Sequence, residues 1–327
     1  MSKSQLIEVP CPICDSVSSK RIAAVRDYLL RVTDATFGVR RCRRCGAGFL
    51  SPRPAAEDIG SYYPDHFYWS FEQAAEPISA SQVLAQRSTQ LNEKLRRIAR
   101  LQPGYLLDLG AMKGEFVQVA TDAGWRAQGV EFSDKVPNLF GVPIRYGEFL
   151  EMEFGNQFDC ITMWAVLEHV YQPRQYVHKI GRLLERGGTF VGVVTNFNSF
   201  QARFMRADDY PRHLTLFTKS SLSRLLAEAG LEPVRFWTDQ RMFGGSLRGA
   251  ALCGIKRALG YDSDELLYEM RDRNDPEAFC CKFRRRPHNA MKWLSRLDNA
   301  SLWLPEKLLD LCGFGFNLGF EARKVAS

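Results

Sequence analysis

Two cysteine pairs, Cys11-Pro-Ile-Cys14 and Cys42-Arg-Arg-Cys45, carry the first chemistry legible in the chain. A Cys-x-x-Cys turn lets two thiolates grip one metal ion, and two such turns complete the four ligands of a tetrahedral zinc site. The long loop between them is compatible with this, because the metal closes it. A redox pair is expected beside a βαβ pattern, which this segment lacks. Four sulfurs leave no open coordination position, so zinc on Cys11, Cys14, Cys42 and Cys45 is expected to be structural. Cys160, Cys253, Cys280, Cys281 and Cys312 show no comparable pairing.

A second constellation starts at the apolar run Tyr105-Leu-Leu-Asp-Leu, which meets Gly110, Met112 and Gly114 before a helix start at Glu115-Phe. Strand, glycine turn and helix together let backbone approach a ligand. A dinucleotide fingerprint would want glycine at 110, 112 and 115, but Met112 and Glu115 take the last two places. Asp108 argues the same way, because its carboxylate would repel a pyrophosphate. S-adenosylmethionine carries no phosphate, and its ammonium and sulfonium are cations that a neighbouring carboxylate stabilises. Glu131 ends the next apolar run, followed by Phe132, where an acid can accept both ribose hydroxyls. Asp108, Gly110, Gly114, Glu131 and Phe132 are therefore read as cofactor residues, with S-adenosylmethionine as the cofactor.

These groups need a frame to position them. From Tyr105 to Trp237, short apolar runs alternate with helical patterns, the signature of a parallel sheet built from crossover units. Strands are expected at Tyr105–Leu109, Arg126–Glu131, Asp159–Trp164, Thr189–Val194 and Leu231–Trp237. Helices fit at Glu115–Ala123, Pro173–Leu184 and Ser220–Ala229, the last opened by Thr218 or Ser220 and closed by Gly230. A polar helix over Ser81–Leu101 precedes the sheet and stops at Pro103-Gly104. The Gly-Phe-Gly-Phe-Asn-Leu-Gly-Phe run from Gly313 reads as a last strand returning to the sheet. The expected organisation is a zinc-binding segment over 1–54, a linker with helices over 55–103, a cofactor-binding α/β domain over 104–239 and a C-terminal extension over 240–327.

The chain has 327 residues, 45% of them apolar and 25% charged, enough for one medium α/β domain with additions. Its net charge of +7 gathers partly at Arg40, Arg41, Arg43 and Arg44 and at Lys282, Arg284, Arg285 and Arg286. Opposite charges are spread along the rest, so these runs are read first as solvated surface. The N-terminus lacks the apolar core of a signal peptide, and no stretch reaches the length of a membrane span. Nine cysteines then fit thiols or metal ligands in the reducing cytoplasm.

Residues 105–237 resemble class I S-adenosylmethionine-dependent methyltransferases, of the group that includes ubiquinone-type and sugar methyltransferases. The resemblance rests on the acid-glycine turn, on Phe158-Asp-Cys-Ile-Thr-Met-Trp-Ala-Val-Leu-Glu-His169, on Leu183-Leu-Glu-Arg-Gly-Gly188, on His213-Leu-Thr-Leu-Phe217 and on Ala229-Gly-Leu. It extends to the double cysteine knuckle, which many members acting on glycans or secondary metabolites carry. The resemblance implies a seven-stranded sheet with its last strand antiparallel. It further implies Gly147-Glu148-Phe149 flanking the adenine and Met163 with Trp164 beside the methionine part. Met112 departs from the family, which usually has glycine there.

Methyl transfer needs alignment and exclusion of water, with a base only for a hydroxyl or carbon acid. Of five histidines, His169 and His213 lie where the family places its substrate face. Glu168 could pair with His169. His213 lies in the polar Asp208-Asp-Tyr-Pro-Arg-His213 insertion and is the first choice for base or acceptor anchor, with His169 catalytic or orienting. His66, His178 and His288 look structural or exposed. Tyr62, Tyr63 and Tyr68 read equally as a lid or as packing, in an aromatic stretch that continues through Phe67 and Trp69. The function expected is methyl transfer to an oxygen, then carbon, of a small molecule, sugar or glycan. Sugar C-methyltransferases with such knuckles usually continue into a further domain that this length does not hold, which lowers carbon. RNA is the alternative acceptor, favoured by the arginines, though no Asn/Asp-Pro-Pro-Tyr motif is present. A non-enzymatic scaffold with a disabled turn at Met112 is the third reading.

Overall fold

The computed structural model describes residues 5–27, 30–63, 79–205, 208–239, 242–243 and 303–325. His66, Phe67, Tyr68, Trp69, Cys253, Cys280, Cys281, the 282–286 basic cluster and His288 lie outside them.

The chain opens with short strands, β1 (Leu6–Ile7), β2 (Ser19–Val25), β3 (Phe37–Cys42), β4 (Gly48–Leu50) and β5 (Arg53–Pro54), and a 3-10 turn over Ala56–Tyr62. Helix α1 (Ala80–Ile98) follows, opened by a reciprocal capping box between Ser79 and Gln82. Then come β6 (Tyr105–Leu109), α2 (Glu115–Asp122), β7 (Arg126–Glu131), β8 (Ile144–Tyr146) and β9 (Phe158–Trp164). Next are α3 (Pro173–Leu183), with proline in its first turn, and the long β10 (Leu184–Thr195). After β11 (Thr215–Leu216), α4 (Lys219–Glu228) starts on a Thr218 capping box, and β12 (Leu231–Asp239) leaves it through Gly230 at φ +73°. Helix α5 (Trp303–Leu311) and β13 (Asn317–Lys324) end the described chain.

Seven strands form the central sheet in the order β12-β13-β10-β9-β6-β7-β8. β6, β7, β8, β9 and β10 run parallel, while β13 is antiparallel to both β10 and β12. This is the mostly parallel Rossmann-like sheet expected, with the 313–320 run supplying the first half of β13. Leu91 and Ile98 of α1 and Phe116 and Val117 of α2 cover one face. Tyr176, Val177 and Ile180 of α3 and Leu222, Leu225 and Leu226 of α4 cover the other. Each fully buried side chain of this size contributes about 1.5–3 kcal/mol, which is what holds the strand ends in register.

A second sheet, β11-β4-β3-β2, carries the cysteine knuckles. Its edge strand β11 comes from beyond β10, pairing Thr215 with Phe49 and Leu216 with Gly48. Cys11, Ile13, Cys14, Cys42 and Cys45 share one apolar cluster with Leu222 and Leu225 of α4. The cysteine-bearing segment is thus stitched onto the central sheet rather than hung beside it. Arg40 donates to Ser19 and Arg41 lies 5.8 Å from the Phe197 ring centroid, so two of the four clustered arginines make contacts inside the protein. No helix among the described residues is long and apolar enough to cross a membrane.

Candidate active site and metal centre

Strands β6 and β7 lie side by side, with Leu109 paired to Val130, so the loops that follow them are neighbours. Gly110, Met112 and Gly114 all take positive φ, at +79°, +49° and +92°. At Gly110 an added Cβ would sit 2.3 Å from Val166 Cγ2, so side chains are excluded there by both conformation and space. Met112 keeps the left-handed conformation that glycine adopts freely, at a cost of about 1–2 kcal/mol. Met112 thus adopts the left-handed backbone that the turn between Gly110 and Gly114 requires.

Glu131 anchors the turn. Its carboxylate accepts from Met112 N at 2.9 Å and Ser133 N at 3.2 Å, and burial pushes its pKa up. Phe132 beside it is 65% exposed. Asp108 is buried and accepts from Thr162 Oγ1 at 2.6 Å. Burial raises Asp108 to about 7, against the opposing pull of Lys94. That lysine, on α1, is also buried and lies over the Phe116 and Trp164 rings at 5.4 and 5.7 Å. A single lysine inside a polar helix carries no signal of its own in the sequence, so its place beside Asp108 emerges only from the fold.

Glu148 accepts from Leu150 N at 3.0 Å and from Tyr176 Oη at 2.5 Å. Phe149 is 2% exposed with its ring against Phe154 and Tyr176, and Met163 is 1% exposed. Both side chains are core, leaving only main chain to border a ligand. Trp164 packs edge-on to Phe116, and its buried Nε1 has no hydrogen-bond partner.

A third group gathers where the loops after β9 and β10 meet. Val166, which faces Gly110, has its carbonyl bonded by His169 N at 3.0 Å, tying this group to the Gly110–Gly114 turn. The His169 and His213 rings meet edge to face at 4.5 Å. His169 Nδ1 lies 3.0 Å from Tyr63 Oη, while His213 Nδ1 bonds the Asp208 carboxylate. Tyr62, by contrast, packs in the core against Phe37.

The two histidines are pushed apart electrically. Burial and the neighbouring His213 charge lower His169 to about 3, whereas Asp208 overcomes burial and raises His213 to about 9. Glu168 does not pair with His169. Its carboxylate accepts from Thr195 N at 3.2 Å, its carbonyl accepts from Leu214 N and Thr215 N, and burial raises it to about 7. Arg212, fully buried between Asp27 at 2.9 Å and Asp209 at 2.6 Å, fixes the loop that presents His213. Asp208 and Asp209 stand inside the quoted insertion and could have been paired with His213 and Arg212 from spacing. Asp27 could not, since 185 positions separate it from Arg212.

The four knuckle sulfurs lie within 4.8 Å of one another. Cys11–Cys45 and Cys14–Cys42 are 3.5 and 3.6 Å apart, close to the edge of about 3.8 Å that zinc–sulfur bonds of about 2.3 Å give a tetrahedron. A hydrogen bond from Cys11 lowers Cys45 to about 5 and raises Cys11 in turn. The set fits a closed, structural zinc site.

Residues 83–235 match the family model described as a methyltransferase domain. No curated protein matches the chain. Among solved structures, the chain is similar to 1,6-didemethyltoxoflavin-N1-methyltransferase from Burkholderia thailandensis, with 15% identity, coverage of 93% of this chain and 100% of that one, and a TM-score of 0.49. It is also similar to a chain of the Haloferax volcanii complex that contains the Trm112 methyltransferase activator, with 14% identity, coverage of 76% and 95%, and a TM-score of 0.48.

Proposed function

We propose that this chain, whose residues 83–235 are the methyltransferase domain of a class I S-adenosylmethionine-dependent enzyme, methylates an oxygen of a small molecule, sugar or glycan. Carbon is the second choice of acceptor atom, and the cytoplasm is the proposed compartment. The observation that supports oxygen is the placement of His169, whose Nδ1 is held by Tyr63 Oη and whose main chain bonds Val166, the residue that faces Gly110.

When bound, S-adenosylmethionine supplies a methyl group on a sulfonium. Glu131 accepts the ribose hydroxyls, Gly110 to Gly114 let the main chain approach, and Asp108 faces the positive end. Phe132 and the main chain of Glu148-Phe149 border the adenine, and the main chain of Met163 with the Trp164 indole borders the methionine part. His169 takes the acceptor proton. That proton becomes strongly acidic only as the new bond forms, so a weak base suffices provided it is neutral. The role requires Nδ1–H donated to Tyr63 Oη and an Nε2 that faces the acceptor rather than the Arg212 main chain, with which the His169 ring also hydrogen-bonds. His213 bonded to Asp208 is an imidazolium at neutral pH and cannot take a proton. Of its two candidate roles, anchoring the acceptor is the one we retain. Zinc on Cys11, Cys14, Cys42 and Cys45 holds the second sheet, and through β11 the His213 loop, in place.

Glu131→Ala is expected to weaken S-adenosylmethionine binding by about 1–3 kcal/mol through loss of charge-assisted hydrogen bonds. Calorimetry checks this, and an unchanged dissociation constant would remove Glu131 from the site. Asp108 gives a second expectation. With its carboxyl at about 7 in the free protein, binding a cationic ligand favours the ionised form and releases a proton below that pH. Affinity should therefore rise about tenfold per pH unit from about pH 5.5 to 7 and level off above. Asp108→Asn should bind more weakly and without that slope. A wild-type affinity flat across this range would place the cation away from Asp108.

A further inference from the structure

Lys94 sits where packing alone would ask for an apolar residue. It lies between Leu91 and Ile98 at helical spacing, on the stripe of α1 that covers the sheet, and is 8% exposed. Its Nζ lies 5.4 Å from the Phe116 ring centroid and 5.7 Å from those of Trp164 and Phe243. No described residue accepts a hydrogen bond from it or forms an ion pair with it. The two acids that act on it at longer range are otherwise engaged, Asp108 by Thr162 and Glu115 by Arg87. Rings offer a cation only their faces. A buried ammonium without an acceptor is destabilising, and methionine would fill the same space without that cost.

This ammonium can also be reached. The neighbouring Trp164 Nε1 is sealed from solvent, whereas Lys94 Nζ is not. Its surroundings fix its place in the fold, since Trp164 ends β9, Asp108 lies near the end of β6, and Phe116 stands in the first turn of α2 just after Gly114. Lys94 therefore lies at the C-terminal ends of β6 and β9, beside the turn that Gly110 opens. Asp108 and Lys94 bring one carboxylate and one ammonium to this place, both buried and not bonded to each other. The amino-acid end of a ligand carries the matching charges in reverse.

We propose that Lys94 binds the α-carboxylate of S-adenosylmethionine while Asp108 faces the ammonium, so that the two side chains read the methionine end as a zwitterion. The inference rests on the cofactor placement proposed above and adds to it a residue from the helix that precedes the sheet. An ammonium–carboxylate contact away from bulk water is a charge-assisted hydrogen bond, and it supplies the acceptor that Lys94 lacks within the chain.

Calorimetry on the full zinc-loaded chain tests it at about pH 8, above the value of about 7 at Asp108. Two ligands that differ only in the carboxylate are compared, S-adenosylhomocysteine and its decarboxylated form, which keeps the adenosine, the thioether and the ammonium. The wild type is expected to prefer S-adenosylhomocysteine by about tenfold to a hundredfold. Lys94→Met should abolish the preference by weakening S-adenosylhomocysteine alone. Lys94→Gln should do the same, which keeps the test open if the methionine variant does not fold, and Lys94→Arg should retain part of the preference. A wild type without preference overturns the proposal, and so does a preference that survives in both the methionine and glutamine variants. Equal losses for the two ligands are such a survival, and they would mean that Lys94 acts only through Asp108. A wild type that binds neither ligand removes the cofactor reading and this proposal together. Binding that depends on Glu131 but not on the carboxylate removes this proposal alone.

Discussion

Replacing Cys42 and Cys45 together by serine is expected to abolish binding of one zinc per chain and to collapse the β11-β4-β3-β2 sheet. Zinc held by four thiolates contributes an apparent ~10–16 kcal/mol in small folded units. That is comparable to the whole stability of a domain, about 5–15 kcal/mol. The consequence should reach the active site, because Leu50 N bonds Leu214 O at 3.1 Å and Thr215 pairs with Phe49. His213 is the neighbour of Leu214, so losing the knuckles loosens the loop that carries it. Metal analysis and circular dichroism of the double variant, with methyl transfer as the third readout, check the chain of effects. Protein purified without chelator that contains no zinc, or a double variant that retains it, would refute the metal assignment.

His169→Ala is expected to lower the turnover rate by about 100-fold or more while leaving S-adenosylmethionine affinity unchanged, as for loss of a general base. His213→Ala should instead act mainly on the Michaelis constant for the acceptor, since a protonated His213 can anchor but not accept a proton. The pH profile separates the two further. With His169 at about 3, saturating turnover with cofactor bound shows no rise between about pH 7.5 and 9. A base at His213 would give activity climbing through about 9. An unimpaired turnover rate in His169→Ala would transfer the role elsewhere, and a profile rising through 9 would return it to His213.

How much of this was legible from residues alone varies with the range of the contacts involved. Strands Tyr105–Leu109 and Arg126–Glu131 were read to the residue, because short apolar runs end on glycine or on a charged residue. The β8 strand Ile144–Tyr146 was not read, since three half-exposed residues carry no alternation. Strand β10 starts at Leu184 rather than Thr189, because Glu185 to Gly188 form an irregularity that looks like a turn in sequence. In the knuckle segment, β2 is largely exposed and so lacks the apolar period that marks a strand. The acid-glycine turn was legible because its constraints are local. The charge states of His169 and His213 were not, because they depend on Asp208, on Tyr63 and on burial that only the fold supplies.

The most direct test of the central claim is the crystal structure of the zinc-loaded chain with S-adenosylhomocysteine. The account predicts both ribose hydroxyls within hydrogen-bond distance of the Glu131 carboxylate, with the amino-acid end laid over the Gly110–Gly114 turn beside Asp108. A ligand bound elsewhere, or a ribose that makes no contact with Glu131, would contradict it.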